Sequence, residues 1–503
     1  MAASSSSSSD PLPASSPSQV PFSPPSSILV VGSGVFGLTT ALALARRDAF
    51  SHCSITVVDR SDPSQPGAFP SPDAASVDTS RIIRADYADS AYTSLGDEAL
   101  VQWRKRDQPT DPGAQGRYRE SGLLLVADAA PPAPDTGSAG EGVKPKLTGL
   151  DYARLSWANV LSLASKYPDL ANRVRELPDP EAIREVLGTR GTSGSWGYIN
   201  NSSGWGNAAA AMAWLYDQAK QTGRINFVPG TVVSLEHNTT SVTGARLADG
   251  GILSAELVVV AAGAWTGGLV DLAGQAIATG QVLGYLEITE GEQQALANMP
   301  VILNLSTGLF IIPPTDRVLK VARHATGYIN PITLTTPPLP LSPNTPPPTT
   351  PITVSLPRTS LTHPSTTIPA SAAADLRSAL RDMLPEPPSL HTRPFIKTRL
   401  CWYSDTPDAD FLIDYHPHWR GLFVATGDSG HAFKFLPVIG DKIADCIAGN
   451  CPVEFRGKWE WKVKDSVTAA AWAAAAFTED GTRGEGARGV VLDEALGEEG
   501  QKS

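Results

Sequence analysis

Gly32-Ser33-Gly34-Val35-Phe36-Gly37 carries three glycines at a spacing that brings a polypeptide backbone against a pyrophosphate. The first permits a tight turn, the second lets the main chain approach phosphate, and the third lets a helix pack on a strand. Asp59, 22 residues past Gly37 and followed by Arg60, stands where an acid takes the ribose hydroxyls of an adenine dinucleotide. An acid there rather than an arginine argues against a 2′-phosphate, hence against NADP. Arg81 and Arg84 are three apart, one helical turn. Such a pair could grip a carboxylate in bidentate fashion or sit on the surface. Lys320 and His324 are four apart in an alternating stretch, so a strand would put both on one face, either solvated or aimed at a site. Cys401 lies in the aromatic run Leu400-Cys401-Trp402-Tyr403, where a buried free thiol is ordinarily inert. Lys434 lies in the expected first turn of a helix opened at Asp428 and Ser429, where dipole and ammonium together favour an anion.

These residues need a scaffold, and the surrounding pattern predicts one. Residues 28–31 form an apolar run ending at the glycine turn, residues 38–47 read as an Ala- and Leu-rich helix, and residues 54–58 read as a second strand ending at Asp59. Two later strands also end in glycine. One is residues 257–260, running into Ala262-Gly263-Ala264-Trp265. The other is residues 421–425, running into Thr426-Gly427-Asp428-Ser429-Gly430-His431. The second opens a helix with Phe433, Leu436, Ile439, Ile443 and Ile447 on one face and a stop at Gly449. A ligand touched by N-terminal, middle and C-terminal segments fits an extended FAD better than an NAD held by one βαβαβ unit. The expected class is α/β (α+β overall), a Rossmann-like FAD-binding domain joined to a substrate domain on a mixed sheet.

Four motifs resemble the sarcosine oxidase branch of the FAD-dependent amine oxidases (DAO superfamily), most of all its fungal members acting on pipecolate, saccharopine or fructosyl amino acids. They are Thr79-Ser80-Arg81-Ile82-Ile83-Arg84-Ala85-Asp86-Tyr87; Leu319-Lys320-Val321-Ala322-Arg323-His324; Arg399-Leu400-Cys401-Trp402-Tyr403 with Thr406-Pro407-Asp408; and Ser429-Gly430-His431-Ala432-Phe433-Lys434-Phe435. Ala432 replaces a glycine found in many members. The resemblance runs with gaps from about residue 28 to about 456. It implies that Arg84 and Lys434 clamp a substrate carboxylate, that Lys320 activates oxygen, and that Cys401 carries the flavin through an 8α-S-cysteinyl link. It also implies that Ser80, Arg81, Asp428, Gly430 and Phe433 lie on the cofactor, and that Tyr403 and His431, with His324 nearby, face the reacting amine. The implied activity is oxidation of a secondary amine in an amino acid to an imine, with reduction of O2 to H2O2. Trp402-Tyr403, where some fructosyl amino acid oxidases carry an acidic pair, favours pipecolate, saccharopine or sarcosine as the substrate type. A fructosyl amino acid oxidase and a non-oxidase flavin dehydrogenase are the alternatives.

The bulk composition sets outer bounds. The chain has 503 residues, 18% charged and 41% hydrophobic, with a net charge of −11, which offers no basic surface to nucleic acid or an anionic membrane. Four scattered cysteines make neither a disulfide framework nor a metal site, and no apolar run reaches the length of a bilayer span. Residues 1–27 read as a disordered leader without the marks of a secretory or mitochondrial signal. The FAD-binding domain is expected from 28–95, 190–268 and 396–456. The substrate domain is expected from 96–189 and 269–395 with a Pro/Thr-rich insertion at 332–371, and 457–503 reads as a low-complexity tail in which 468–476 could form a short helix. The expected protein is a monomer whose partners are a small amino acid and O2. The expected compartment is the cytoplasm, with the peroxisome as alternative and no Ser-Lys-Leu-type ending.

Overall fold

The computed structural model describes residues 22–62, 64–65, 67–129, 147–167, 172–346, 349–463, 477–478, 480–484 and 486–497. Most of the expected leader and residues 468–476 lie outside these.

A six-stranded sheet forms the first layer, in the order Ile225–Pro229, Ser54–Asp59, Ser27–Val31, Leu257–Val260, Leu422–Thr426 and Leu412–Tyr415. The first five strands are parallel and the last is antiparallel. Both faces are covered, which explains why the central strands read as unbroken apolar runs rather than alternating ones. Ile28 and Val30 pack with the helices Val35–Arg46, Ala208–Gln221 and Leu436–Ile447. Leu29 and Val31 point the other way, onto a three-stranded sheet of Val232–His237, Val242–Leu247 and Ile252–Ser254. The glycine turn is forced by close packing. Gly32 has φ +104°, and a Cβ on Gly37 would fall 1.9 Å from the Gly32 carbonyl oxygen.

The second layer is a ten-stranded sheet whose organiser is the long strand Ile277–Glu287. On one side it pairs with Val318–Arg323, setting Tyr285 opposite Lys320. On the other it pairs with Lys397–Asp405, setting Gln281 opposite Cys401. One strand thus fixes the lysine and the cysteine in a common frame. The helix Ala370–Met383 closes the outer face, while Cys401, Tyr152, Trp205 and Phe310 share the inner one.

The boundaries differ from those expected in three places. Trp196–Asn200 pairs with Leu123–Ala127, and Lys397–Asp405 pairs with Ile277–Glu287, so both strands belong to the second sheet although they fall inside segments 190–268 and 396–456. The chain changes layers without a composition shift, which a linear reading cannot register. Among its described residues the insertion 332–371 folds a hairpin from Pro331–Thr333 and Thr353–Ser355, runs otherwise through bends and turns, and ends in the helix that starts at Ala370. The segment after 456 is not a featureless tail. Trp459 and Trp461 are fully buried, Val490–Val491 adds a strand parallel to Tyr328–Ile329, and Arg483 is buried. A few large side chains tether a stretch whose average composition reads as low complexity.

Candidate active site

The C-terminal ends of the parallel strands open onto a cavity of about 490 Å³. Gly32, Gly34, Val35, Phe36, Asp59, Arg60, Ala262 and Gly263 line one end; Arg81, Tyr403, Asp428, Gly430 and Phe433 line the other. A Cβ on Gly34 or Gly263 would meet no protein atom within 4 Å, so the room in front of both is open to a ligand. Gly34 also N-caps the Val35–Arg46 helix without a side-chain cap, leaving main-chain N–H groups and the positive helix end to an anion. Asp59 Oδ2 accepts from Ser33 N at 2.7 Å and Oδ1 from Ser61 N at 2.9 Å, which pins the carboxylate beside the glycine turn. Arg60 pairs with Asp73 at 2.7 Å and lies 4.1 Å from the Trp265 ring centre. Gly37 is a packing residue outside the lining. An extended cradle with a phosphate-binding turn at one end and aromatic side chains at the other fits FAD.

Beneath the far end lies a buried charged cluster. Arg81 sits in the strand Arg81–Ile83, so the helical spacing expected for Arg81 and Arg84 is not what the chain adopts, and the two diverge. Arg81 pairs with Asp78 at 2.6 Å and places Nη2 3.3 Å from Cys401 Sγ. Lys320 Nζ bonds Asp78 at 2.7 Å and the Ser80 carbonyl at 2.7 Å. Ser80 therefore acts here through its main chain. Burial pulls the Lys320 ammonium down to about 8, with Asp78 opposing and Arg81 adding to the loss.

Arg84 follows that strand and turns into a pocket of tyrosines. Its guanidinium carbon lies 4.6 Å from the Tyr87 ring centre and 6.0 Å from that of Tyr152, and its Nη1 is buried with no hydrogen-bond partner. The adjacent acid, Asp86, is engaged elsewhere, by Tyr198 at 3.0 Å, Asn200 at 3.0 Å and Ser203 at 2.6 Å. Lys434 approaches the same Tyr87 ring at 5.3 Å and donates to the His431 carbonyl at 2.8 Å. It lies in a 3₁₀ turn, Ala432–Phe435, just ahead of the helix rather than in its first turn. Burial, then Arg84, pushes the Lys434 ammonium well below its ordinary value. Among the described residues no salt bridge joins Arg84 or Lys434 to a carboxylate, so an anion between them would complete the site electrostatically.

His431 differs from its expected place. Its Nε2 bonds the Ala409 carbonyl at 2.9 Å, and a carbonyl only accepts, so Nε2 carries the proton and Nδ1 accepts from the Tyr87 hydroxyl at 3.0 Å. Both nitrogens are used, and the ring orients Tyr87 from behind. His324, one residue past its strand, bonds Thr482 at 3.2 Å with its ring 5.9 Å from that of Tyr403. Tyr403 packs flat against Gly430, where a Cβ would sit 2.2 Å from the ring. Burial, reinforced by Asp405, raises the Asp428 carboxyl to about 7, while the Ser404 N–H donating at 2.7 Å opposes. Sequence reasoning missed Asp78, Tyr152 and Arg483. Arg483 bonds Asp405 at 2.5 Å and the Ser429 carbonyl at 3.0 Å from a segment whose composition concealed it. Asp78 stood one residue before a quoted motif.

Comparison with known proteins agrees with this geometry. The chain is 34% identical to the amino acid oxidase imqH of Aspergillus flavus, over 84% of this chain and 93% of that protein. It is 30% identical to the L-saccharopine oxidase of Schizosaccharomyces pombe, over 88% and 95%. The crystal structure of the deglycating enzyme fructosamine oxidase from Aspergillus fumigatus (Amadoriase II) superposes with a TM-score of 0.70 at 27% identity, covering 93% of this chain and 96% of that one. Residues 27–446 match the FAD dependent oxidoreductase (DAO) family, and with the cradle, the tyrosine pocket and the relatives in agreement, the chain belongs to it.

Proposed function

We propose that the protein is an oxidase of a secondary amine in an amino acid, of the pipecolate, saccharopine or sarcosine type, yielding an imine and H2O2. The observation that carries this is the pair of buried cations, Arg84 with an unpartnered nitrogen and Lys434, across the face of Tyr87. A carboxylate between them answers both charges. Gly32, Gly34, Asp59 and Arg60 at one end of the cavity and Arg81, Gly430 and Phe433 at the other would hold FAD, which would supply the two-electron acceptor between the amine and oxygen. Tyr87, Tyr152 and Tyr403 exclude water and present aromatic walls, and Tyr87 is fixed by His431. The two cations also favour loss of the ammonium proton from the substrate, leaving the neutral amine that gives up electrons. Lys320 offers its charge where oxygen is reduced. Cys401 is the proposed point of covalent attachment, with Arg81 Nη2 3.3 Å from its sulfur.

The test is an oxygen-electrode screen of secondary and N-alkylated amino acids, fructosyl amino acids and primary amino acids, each beside its decarboxylated analogue. Wild type should strongly prefer the acid. Arg84→Ala should lose roughly tenfold to a hundredfold in kcat/KM on the acid, as for a charge-assisted hydrogen bond of about 1.5–3 kcal/mol, and discriminate far less between the two. Equal wild-type activity on acid and analogue rejects the clamp.

A further inference from the structure

Two groups given roles above, Lys320 and Arg81, share one partner to which the proposed oxidation assigns nothing. Only 2% of the Asp78 side chain is exposed. Its Oδ2 accepts from Lys320 Nζ at 2.7 Å and from Arg81 Nη1 at 2.6 Å, and its Oδ1 from the Tyr285 hydroxyl at 2.7 Å. Arg399 adds a third cation within electrostatic reach. Burial by itself would favour the neutral acid, yet the three cations hold the carboxyl far below its usual range.

The surroundings of Lys320 show what this carboxylate does. From the 78–81 segment it faces Asp78 and Arg81, from the adjacent strand Tyr285, from the strand beyond that Cys401, and from its hairpin partner the ring of Phe310 at 5.8 Å. Asp78 is the acid among them that touches it. Without that charge, the ammonium would be buried against Arg81, and the way out is to release its proton to solvent. Arg81 would lose the 2.6 Å ionic anchor on Nη1 and keep only the bond from Nη2 to the Ala75 carbonyl, which loosens the orientation that brings Nη2 to the Cys401 sulfur.

We propose that Asp78 is a positioning residue that serves two steps at once, holding Lys320 charged and in place for the oxygen step and aiming Arg81 at Cys401 for cofactor attachment. The inference rests on the roles proposed for Lys320 and Cys401. A merely structural ion pair would lower the yield of folded protein without moving either property. Its position makes it specific: one oxygen atom takes both the lysine and the arginine.

The experiment uses full-length flavin-bearing protein with Asp78→Asn, Lys320→Met and the double variant. Two quantities are read: the pH midpoint above which reoxidation by oxygen slows, and the fraction of flavin that stays with acid-precipitated protein. In Asp78→Asn the midpoint should fall by about one pH unit or more, and the attached fraction by roughly twofold or more. In the Lys320→Met background, Asp78→Asn should leave reoxidation unchanged but still lower the attached fraction. A wild-type value for either quantity in Asp78→Asn overturns the proposal. If that single variant does not fold, the double variant, which removes the lysine charge together with the carboxylate, decides, and an attached fraction equal to that of Lys320→Met overturns it. Normal reoxidation in Lys320→Met alone would instead remove the oxygen role from Lys320, a failure of the underlying assignment that the single lysine variant reports by itself.

Discussion

Lys320 gives the sharpest quantitative expectation, because its charge and its titration lie in an accessible range. Its ammonium is pulled from an ordinary value near 10.5 down to about 8, burial being the main cause and Arg81 contributing, while Asp78 opposes both. The sign follows directly: a depressed lysine loses its charge as pH rises through about 8. About nine-tenths of the molecules carry the charge at pH 7 and about one-tenth at pH 9, so a step that requires it should slow roughly tenfold between them. An oriented charge beside a developing oxyanion contributes about 2.7–4 kcal/mol, and Lys320→Met should therefore reoxidise on the order of 10²–10³ times more slowly. It should also show no dependence on pH in this window, and its rate is the floor that wild type approaches at high pH. The assay is stopped-flow mixing of anaerobically reduced protein with oxygenated buffer across roughly pH 6–10, with reduction by substrate measured separately. Reduction should instead rise with pH as the bound amine loses its proton, making overall turnover bell-shaped. A flat wild-type reoxidation profile would refute the reasoning, as would a Lys320→Met variant slowed equally in both half-reactions.

Two further outcomes follow from particular contacts. Cys401→Ala should release its flavin into the supernatant on acid precipitation while wild type keeps yellow flavin in the pellet; soluble wild-type flavin would remove the covalent link. Arg483→Ala leaves Asp405 buried without its 2.5 Å partner, at a cost of about 3–5 kcal/mol, and should lower Tm by roughly 3–5 °C. Arg483→Ala with Asp405→Ala should recover much of this, and equal Tm values for single and double variants would show that the pair is not coupled.

The cofactor cradle was legible in the sequence because its physics is local. A strand, three glycines, a helix and a spaced acid lie within 33 consecutive residues, 27–59, and each constrains the next. The same locality made the Leu436–Ile447 helix and its stop before Gly449 readable. The substrate-side constellation is not local. Lys320 meets Asp78 across a sequence separation of more than two hundred residues, and only the register of Ile277–Glu287 with two neighbouring strands brings Lys320 and Cys401 under one cavity. Resemblance to the sarcosine oxidase branch supplied Lys320, Cys401, Arg84 and Lys434, but not the acid that touches Lys320, and it carried His431 to a face that Tyr87 occupies. Arg483 was missed for a different reason. Its neighbours are Gly, Thr, Glu and Ala, and no periodicity marks an arginine held by a single buried aspartate.

The distribution of charge inside the site argues for the class of molecule it takes. Lys320 and Arg81 are answered by Asp78, and Arg483 by Asp405, each within 2.7 Å. Arg84 and Lys434 stand apart from this pattern: both are buried, both face Tyr87, and neither has a salt bridge to an acid among the described residues. Two desolvated cations side by side repel, which is expensive to maintain unless the bound state repays it. The chain carries net charge −11, so a long-range field does not gather anions toward the protein. On the proposed reading, the carboxylate is selected at contact, inside the tyrosine pocket, where screening by salt is weak. Affinity for the acid should accordingly change little between low and physiological ionic strength, and it should collapse when Arg84 loses its charge.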